Sequence, residues 1–220
     1  VTQVTFPVLS QLQNDIPKLK KGLQKSITSL VFLNFPLMVL LIIIAQPLFV
    51  LLFTDKWIDS VPYFQVLCVG GMLSAVNANN LNMFKAKGRS DVFLYVQLVK
   101  YIISFVSIFV GIHYDVMWML WALVLVDHVF FLISAYVAGR LIGYGLIEQL
   151  QDIVPYYILS VFVGIIVFFL FQFFHVHYVL EIVSQSFLYI ILYVFATKMF
   201  NMEGYTQCYN ILRDKLNSFL

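Results

Sequence analysis

The stretch DVFLYVQLVKYIISFVSIFVGIHYDVMWMLWALVLVDHVFFLISAYVAGR, residues 91–140, decides the fold. Between Asp91 and Arg140 its only charged side chains are Lys100, Asp115 and Asp127. Two apolar runs, 92–112 and 116–139, flank a short turn at Ile112 to Val116. At about 1.5 Å per residue, each run is long enough as a helix to cross roughly 30 Å of hydrocarbon. Nothing in it has the period of a strand. A turn this short makes the two runs antiparallel neighbours, so the stretch is a hairpin of spanning helices.

Similar apolar runs lie at 27–53, 61–83, 153–174 and 180–199, which makes six spans in 220 residues. The whole chain is 62% hydrophobic and 11% charged, against about a quarter charged in a soluble domain. A disordered chain would be charged and poor in aromatics, and this one has 22 Phe. A net charge of +2 offers no cationic field for nucleic acid. Cys68 and Cys208 stand far apart and suggest neither a disulfide framework nor a metal site. The chain opens on Val1 with no signal peptide, and the expectation is the C-terminal part of something longer.

Orientation follows from the Lys and Arg of the connections. Lys18, Lys20, Lys21, Lys25, Lys85, Lys87, Arg89, Arg140, Lys198, Arg213 and Lys215 fall on one side and Lys56 on the other. The crowded side is expected to be cytoplasmic, with the C-terminus there. Helix punctuation is expected at the joints: Asp59-Ser60 ahead of Pro62, Gly88-Arg89-Ser90-Asp91, and Asp152 ahead of Pro155. In DIPKLKKGLQKS, Ile16, Leu19, Leu23 and Ile27 share one helical face, which suits a helix lying on an anionic leaflet. The tail repeats the pattern with Tyr205, Tyr209, Leu212, Leu216 and Phe219.

An ionisable side chain at mid-bilayer costs about 2.5 to 3.5 kcal/mol and therefore faces a bundle interior, a wet path or a partner. Lys100 and Asp127 both sit near the middle of their spans and are placed to pair. Gln97, Lys100, Ser104, Ser107 and Gly111 step by 3, 4, 3 and 4, so they share one stripe. In the second span Gly71, Ser74, Ala75, Ala78 and Asn82 form a small and polar face with Asn77 and Asn79 at its edges. Such faces either pack helices closely or line a cavity. His128, beside Asp127, can serve a proton relay or simply pack. Pro36 and Pro47 are candidate hinges within the first span. Residues 156–171 carry only Ser160 as a polar aliphatic side chain, so that helix is expected to face lipid nearly all round. No catalytic grouping, phosphate-binding loop or metal-ligand spacing is present, which points away from an enzyme.

Phe6-Pro7 with Leu9-Ser10 and Asp15, then NFPLMVLLIIIAQPLFVLLFTDKW, FKAKGRSD at 84–91 and YGLIEQLQDIVP at 144–155 together resemble the polysaccharide transporter family. These are the Wzx-type O-antigen and exopolysaccharide flippases of the MATE-like superfamily. The resemblance implies an all-α, two-lobe carrier that flips undecaprenyl-pyrophosphate-linked oligosaccharide across the bacterial inner membrane by alternating access. Residues 1–26 would then hold the end of a preceding helix and a cytoplasmic amphipathic segment. Residues 27–139 would form four helices of the C-terminal lobe, 140–152 a cytoplasmic connection, 153–199 two accessory helices and 200–220 a cytoplasmic tail. The implied partners are the lipid-linked oligosaccharide, membrane lipids, and the polymerase and glycosyltransferases of the same pathway.

On that resemblance the candidate substrate contacts are Lys100, Gln97, Ser104, Ser107 and Asn77. Asp127 and His128 are candidates for coupling to H+ or Na+, with no other cofactor and no metal. The competing expectations are a MATE-type drug or cation antiporter and an integral-membrane polysaccharide polymerase or ligase.

Overall fold

The computed structural model describes residues 9–172, 177–208 and 213. The described residues hold no strand. Among the described residues these helices follow in order: α1 (Ile16–Ile43), α2 (Ala45–Phe53), α3 (Val61–Ala86), α4 (Ser90–Tyr114), α5 (Val116–Ile142), α6 (Leu146–Phe171) and α7 (Tyr178–Met199), with a 3-10 turn Asp55–Ser60 leading into α3. Among the described residues six segments are long and apolar enough to cross a membrane: α1, Asp55–Ala86, and α4 to α7. The all-α polytopic membrane fold expected from the sequence is the one observed.

Two boundaries differ from the expected ones. The segment assigned to a leaflet surface is the first half of a continuous α1: Asp15 Oδ1 accepts from Lys18 N at 3.1 Å and so caps the helix. Pro17 falls in the first turn, where it has no intrahelical bond to lose. Leu19, Leu23 and Ile27 are fully buried, so the stripe read as lipid-facing belongs to the core. Likewise α6 begins at Leu146, leaving Gly143 to Gly145 as the joint in place of a 140–152 connection. Asp152 and Pro155 therefore lie inside the helix.

Local chemistry explains the other joints. Gly88 and Gly143 take φ of 75° and 72°, the left-handed closure that ends α3 and α5. Arg89 N reaches Phe84 O at 3.0 Å across the first of these turns. The expected cap by Ser90 or Asp91 does not form; Arg89 itself occupies the cap position and pairs with Asp91 at 2.9 Å. In the first span the helix runs through Pro36 and breaks at Ile44. Pro47 lies in the first turn of α2, so its missing N–H falls at the break. Gln65 Nε2 donates to Ile42 O at 3.0 Å and satisfies a carbonyl of the interrupted turn.

The chain divides into two compact units, Val1–Ile27 with Val66–Ile153, and Thr28–Gln65 with Val154–Leu220. In the second, Phe32 meets the rings of Tyr156 and Tyr193, and Tyr193 donates its hydroxyl to Phe32 O at 3.1 Å. A Cβ on Gly164 would stand 2.5 Å from Val39 Cγ1, so α1 and α6 pack there at glycine distance. Tyr156, Leu159, Ser160, Val163 and Val167 form a buried face of α6, so this helix faces lipid on one side only. Ser160 turns inward: its Oγ donates to Tyr156 O, and its carbonyl accepts from the Tyr189 hydroxyl. Gly204 N donates to the Tyr156 hydroxyl at 2.8 Å, which seats the start of the tail on this unit. Tyr209, Leu212, Leu216 and Phe219 lie outside the described residues.

Candidate functional site

The first unit carries the ionisable pair. Lys100 lies near the middle of the 25-residue α4 and Asp127 near the middle of the 27-residue α5. Lys100 Nζ sits 2.6 Å from Asp127 Oδ1, with both side chains about a fifth to a quarter exposed. At this distance the ammonium and the carboxylate form a close ion pair. The ammonium also lies 4.9 Å from the centre of the Phe130 ring, a face that favours a cation. The antiparallel register brings these groups together. Gly111 lies against Met119, where an added Cβ would collide with Met119 Cβ, and Lys100 faces Asp127 and Phe130 further along.

A cavity of about 180 Å³ opens beside the pair, walled by Lys100, Ile103 and Ser107 of α4 and by Val126, Val129 and Phe130 of α5. Of the stripe read from the sequence, Lys100 and Ser107 line it. Ser107 Oγ donates to Ile103 O at 2.9 Å within its own helix, and Ser104 is half-buried between Lys100 and Ser107. Gln97 Nε2 donates to the Tyr101 hydroxyl at 2.9 Å, while its Oε1 is buried with no hydrogen-bond partner among the described residues. His128 donates from Nδ1 to Val124 O at 2.8 Å, a bond along its own helix.

Asn77 reaches the site from α3, donating from Nδ2 to Asp127 O at 3.1 Å and accepting from Ser134 Oγ at 3.3 Å. Behind it lies a polar cluster that the sequence did not single out. Asn80 Nδ2 donates to Gln149 Oε1 at 3.0 Å and to Ser134 Oγ at 3.2 Å, and Gln149 Nε2 returns a bond to Asn80 Oδ1 at 3.2 Å. All three side chains are fully buried. Nearby, Asp152 accepts from the Tyr144 hydroxyl at 2.6 Å and from Gln24 Nε2 at 3.0 Å. Lys20 Nζ binds Gly143 O at 2.7 Å and both oxygens of Glu148, fastening α1 to the α5–α6 joint. The signal was the run Asn77-Ala78-Asn79-Asn80-Leu81-Asn82, whose four amides in an apolar helix must all find burial and partners. Ser74, placed on the polar face from its spacing, is instead exposed and bonds Gly71 O. Pro36 and Pro47 belong to the second unit.

Six spanning helices with a paired lysine and aspartate midway along two of them define a class: a polytopic helical membrane protein with ionic side chains in its spans. Comparison with known proteins narrows it. Residues 1–62 match the family described as polysaccharide biosynthesis protein. The teichuronic acid biosynthesis protein TuaB of Bacillus subtilis (strain 168) is 25% identical over 169 residues, 76% of this chain and 35% of that protein. The lipopolysaccharide biosynthesis protein WzxC of Escherichia coli (strain K12) is 29% identical over 111 residues, 50% of this chain and 23% of its own length. An uncharacterised membrane protein of the cps region of Klebsiella pneumoniae is 33% identical over 103 residues, 47% of this chain and 21% of that protein.

Among solved structures, the lipid II flippase MurJ in an inward closed conformation matches with a TM-score of 0.75 at 15% identity. That match covers 90% of this chain and 42% of MurJ, and it establishes the fold. The resemblance to the polysaccharide transporter family is borne out. The chain spans about a third or less of the length of the curated relatives it matches.

Proposed function

We propose that the chain forms part of a flippase for lipid-linked saccharide in the bacterial cytoplasmic membrane, serving surface polysaccharide synthesis by alternating access. The observation that carries this reading is the Lys100–Asp127 pair in an otherwise apolar hairpin, beside a cavity. A pyrophosphate-linked saccharide is an anion with a bulky polar head, and its passage needs a cation within the protein while its chain stays in lipid. Lys100 supplies that cation, and Asp127 holds it between substrates or exchanges it for a coupling H+ or Na+. Gln97, Ser104, Ser107 and Asn77 add hydrogen-bonding capacity around the pair, and His128 is a second candidate for proton transfer. The lysine-rich helix ends, with the C-terminus, lie on the cytoplasmic side. Glycosyltransferases that build the lipid-linked unit and a polymerase that consumes it are the functional partners.

Complementation of a strain lacking its flippase tests the assignment. With the protein expressed from its own gene, Lys100→Ala should abolish surface polysaccharide at normal protein level. Undiminished polysaccharide would refute it.

A further inference from the structure

The chain after α7 turns back onto the first span within the second unit. Asn201 takes the left-handed conformation with φ 49°, and Met202 N bonds Thr197 O at 3.1 Å, the Schellman closure that ends a helix and reverses the chain. Residues 203–208 are helical again and lie against α1 and α6. Gly204 and Gln207 seat this strap. Gly204 is buried, its N–H donates to the Tyr156 hydroxyl at 2.8 Å, and an added Cβ would stand 2.8 Å from Phe32 Cβ and 3.0 Å from the Tyr156 hydroxyl. Ser29 Oγ, one turn before Phe32 on α1, donates to Gln207 Oε1 at 2.8 Å.

Phe32 is where α1 is weakest. Pro36 has no N–H, so Phe32 O, four residues back, loses its donor within the helix. The Tyr193 hydroxyl supplies one at 3.1 Å, and the Phe32 ring meets those of Tyr156 and Tyr193. This turn is therefore held from outside, by α6, α7 and the strap, at one residue. We propose that residues 202–208 form a strap that locks the Pro36 kink and lets go when the first span rearranges during transport; the release rests on the transport reading above. Gly204 permits the lock, because a side chain there would push the strap off Phe32. Release leaves the frame standing: α1 and α6 keep their close approach at Val39 and Gly164, and Tyr193 keeps its bond to Phe32 O. A short helix tied by its own backbone N–H and one amide opens more readily than the 22-residue α7. With the strap seated, Phe32 is pinned on a further side and the kink keeps its angle. With it off, α1 can bend at Pro36, a hinge movement of the kind that gates access.

The test reconstitutes the protein, expressed from its own gene, in lipid vesicles. Cys208, half-buried at the end of the strap, reports the seat: burial pushes its thiol above the ordinary value and so slows alkylation. Gly204→Val should raise the rate of maleimide addition to Cys208, read by peptide mass, on the order of tenfold. It should also speed amide exchange in peptides covering residues 28–40 and leave those of α4 and α5 as in the wild type. Ser29→Ala with Gln207→Ala removes the other tie without adding bulk and should move both readouts the same way, which guards against Gly204→Val failing to fold. A reversible bis-methanethiosulfonate linker between Ser29→Cys and Gln207→Cys, with Cys208→Ala, holds the strap shut. Flipping of lipid-linked saccharide should then fall on the order of tenfold and return on reduction.

Unchanged Cys208 reactivity in both variants, or unchanged exchange over residues 28–40, overturns the lock. Linked protein that flips at the wild-type rate overturns the release and leaves the transport reading standing. A wild type that moves no lipid-linked saccharide refutes the transport reading, while faster exchange at 28–40 in both variants still supports the lock.

Discussion

Asp127→Asn removes the negative partner of Lys100 while keeping nearly the same shape, so it isolates charge from packing. An unpaired ammonium midway along an apolar helix costs about 2.5 to 3.5 kcal/mol, and breaking a fully buried pair costs about 3 to 5 kcal/mol. Both side chains here keep about a fifth to a quarter of their surface, so the expected cost is at the low end of these ranges, about 2.5 to 3 kcal/mol. Over 220 residues that loss lowers the melting temperature by roughly 5 to 12 °C. Lys100→Met has a similar cost for the opposite reason, leaving a carboxylate unpaired. The double variant Lys100→Met with Asp127→Leu removes both charges, and an apolar replacement of an ion pair is often neutral or stabilising.

Thermal unfolding in mild detergent should therefore show two destabilised single variants and a double variant close to wild type. Surface polysaccharide in the complementation strain should be lost in all three. Recovery of stability without recovery of transport separates the pair's role in transport from its role in folding. A double variant that transports normally would show that the pair only packs, and an Asp127→Asn protein as stable as wild type would refute the electrostatic account.

Three further outcomes follow from the geometry. Asn80→Leu strips Gln149 and Ser134 of buried partners and should cost about 1 to 3 kcal/mol by denaturation, whereas Ser74→Ala on the exposed side should stay within about 0.5 kcal/mol. Gly111→Ala sets a methyl group 2.8 Å from Met119 Cα, so the hairpin must spread at its turn; a loss of about 1 to 3 kcal/mol in the same measurement is expected. The Asp15 carboxylate is held below its ordinary range chiefly by the hydrogen bond from Lys18, so its folded pKa is depressed relative to the unfolded chain. Its contribution is complete above the ordinary carboxylate range and lost as pH falls through the lowered value. The protection of first-turn amides of α1, taken as exchange relative to the intrinsic rate at each pH, should fall over that acidic window in wild type and change little in Asp15→Asn.

The spans and the mid-helix pair were legible because charge in an apolar run is scarce enough to be conspicuous. The α4 stripe was legible for the same reason, since its period of 3 and 4 needs only one helix to be read. What escaped notice depended on several helices at once. The periodicity of α3 offered two polar faces, and small residues favoured the one with Ser74. Amide bonds from Ser134 and Gln149, distant in sequence, decide for Asn80. The first turns of α1 were misread because a lysine-rich amphipathic helix looks alike on a leaflet and against protein. Leu19 and Leu23 are buried in the fold, and Lys20 reaches from the same turns to Gly143 and Glu148. The α6 boundary was masked by Asp152 and Pro155, which look like a helix start; Asp152 instead serves the Tyr144 hydroxyl within the unit.

Asn77 grips residue 127 by its backbone carbonyl and leaves the carboxylate alone. Scaffold and charge are thereby assigned to different atoms of one residue. A carboxylate that helped hold α3 to α5 could not change partner or take up a proton without loosening the bundle. Because the main chain does this fastening, a change of charge at the Asp127 carboxylate leaves the Asn77 bond between α3 and α5 in place.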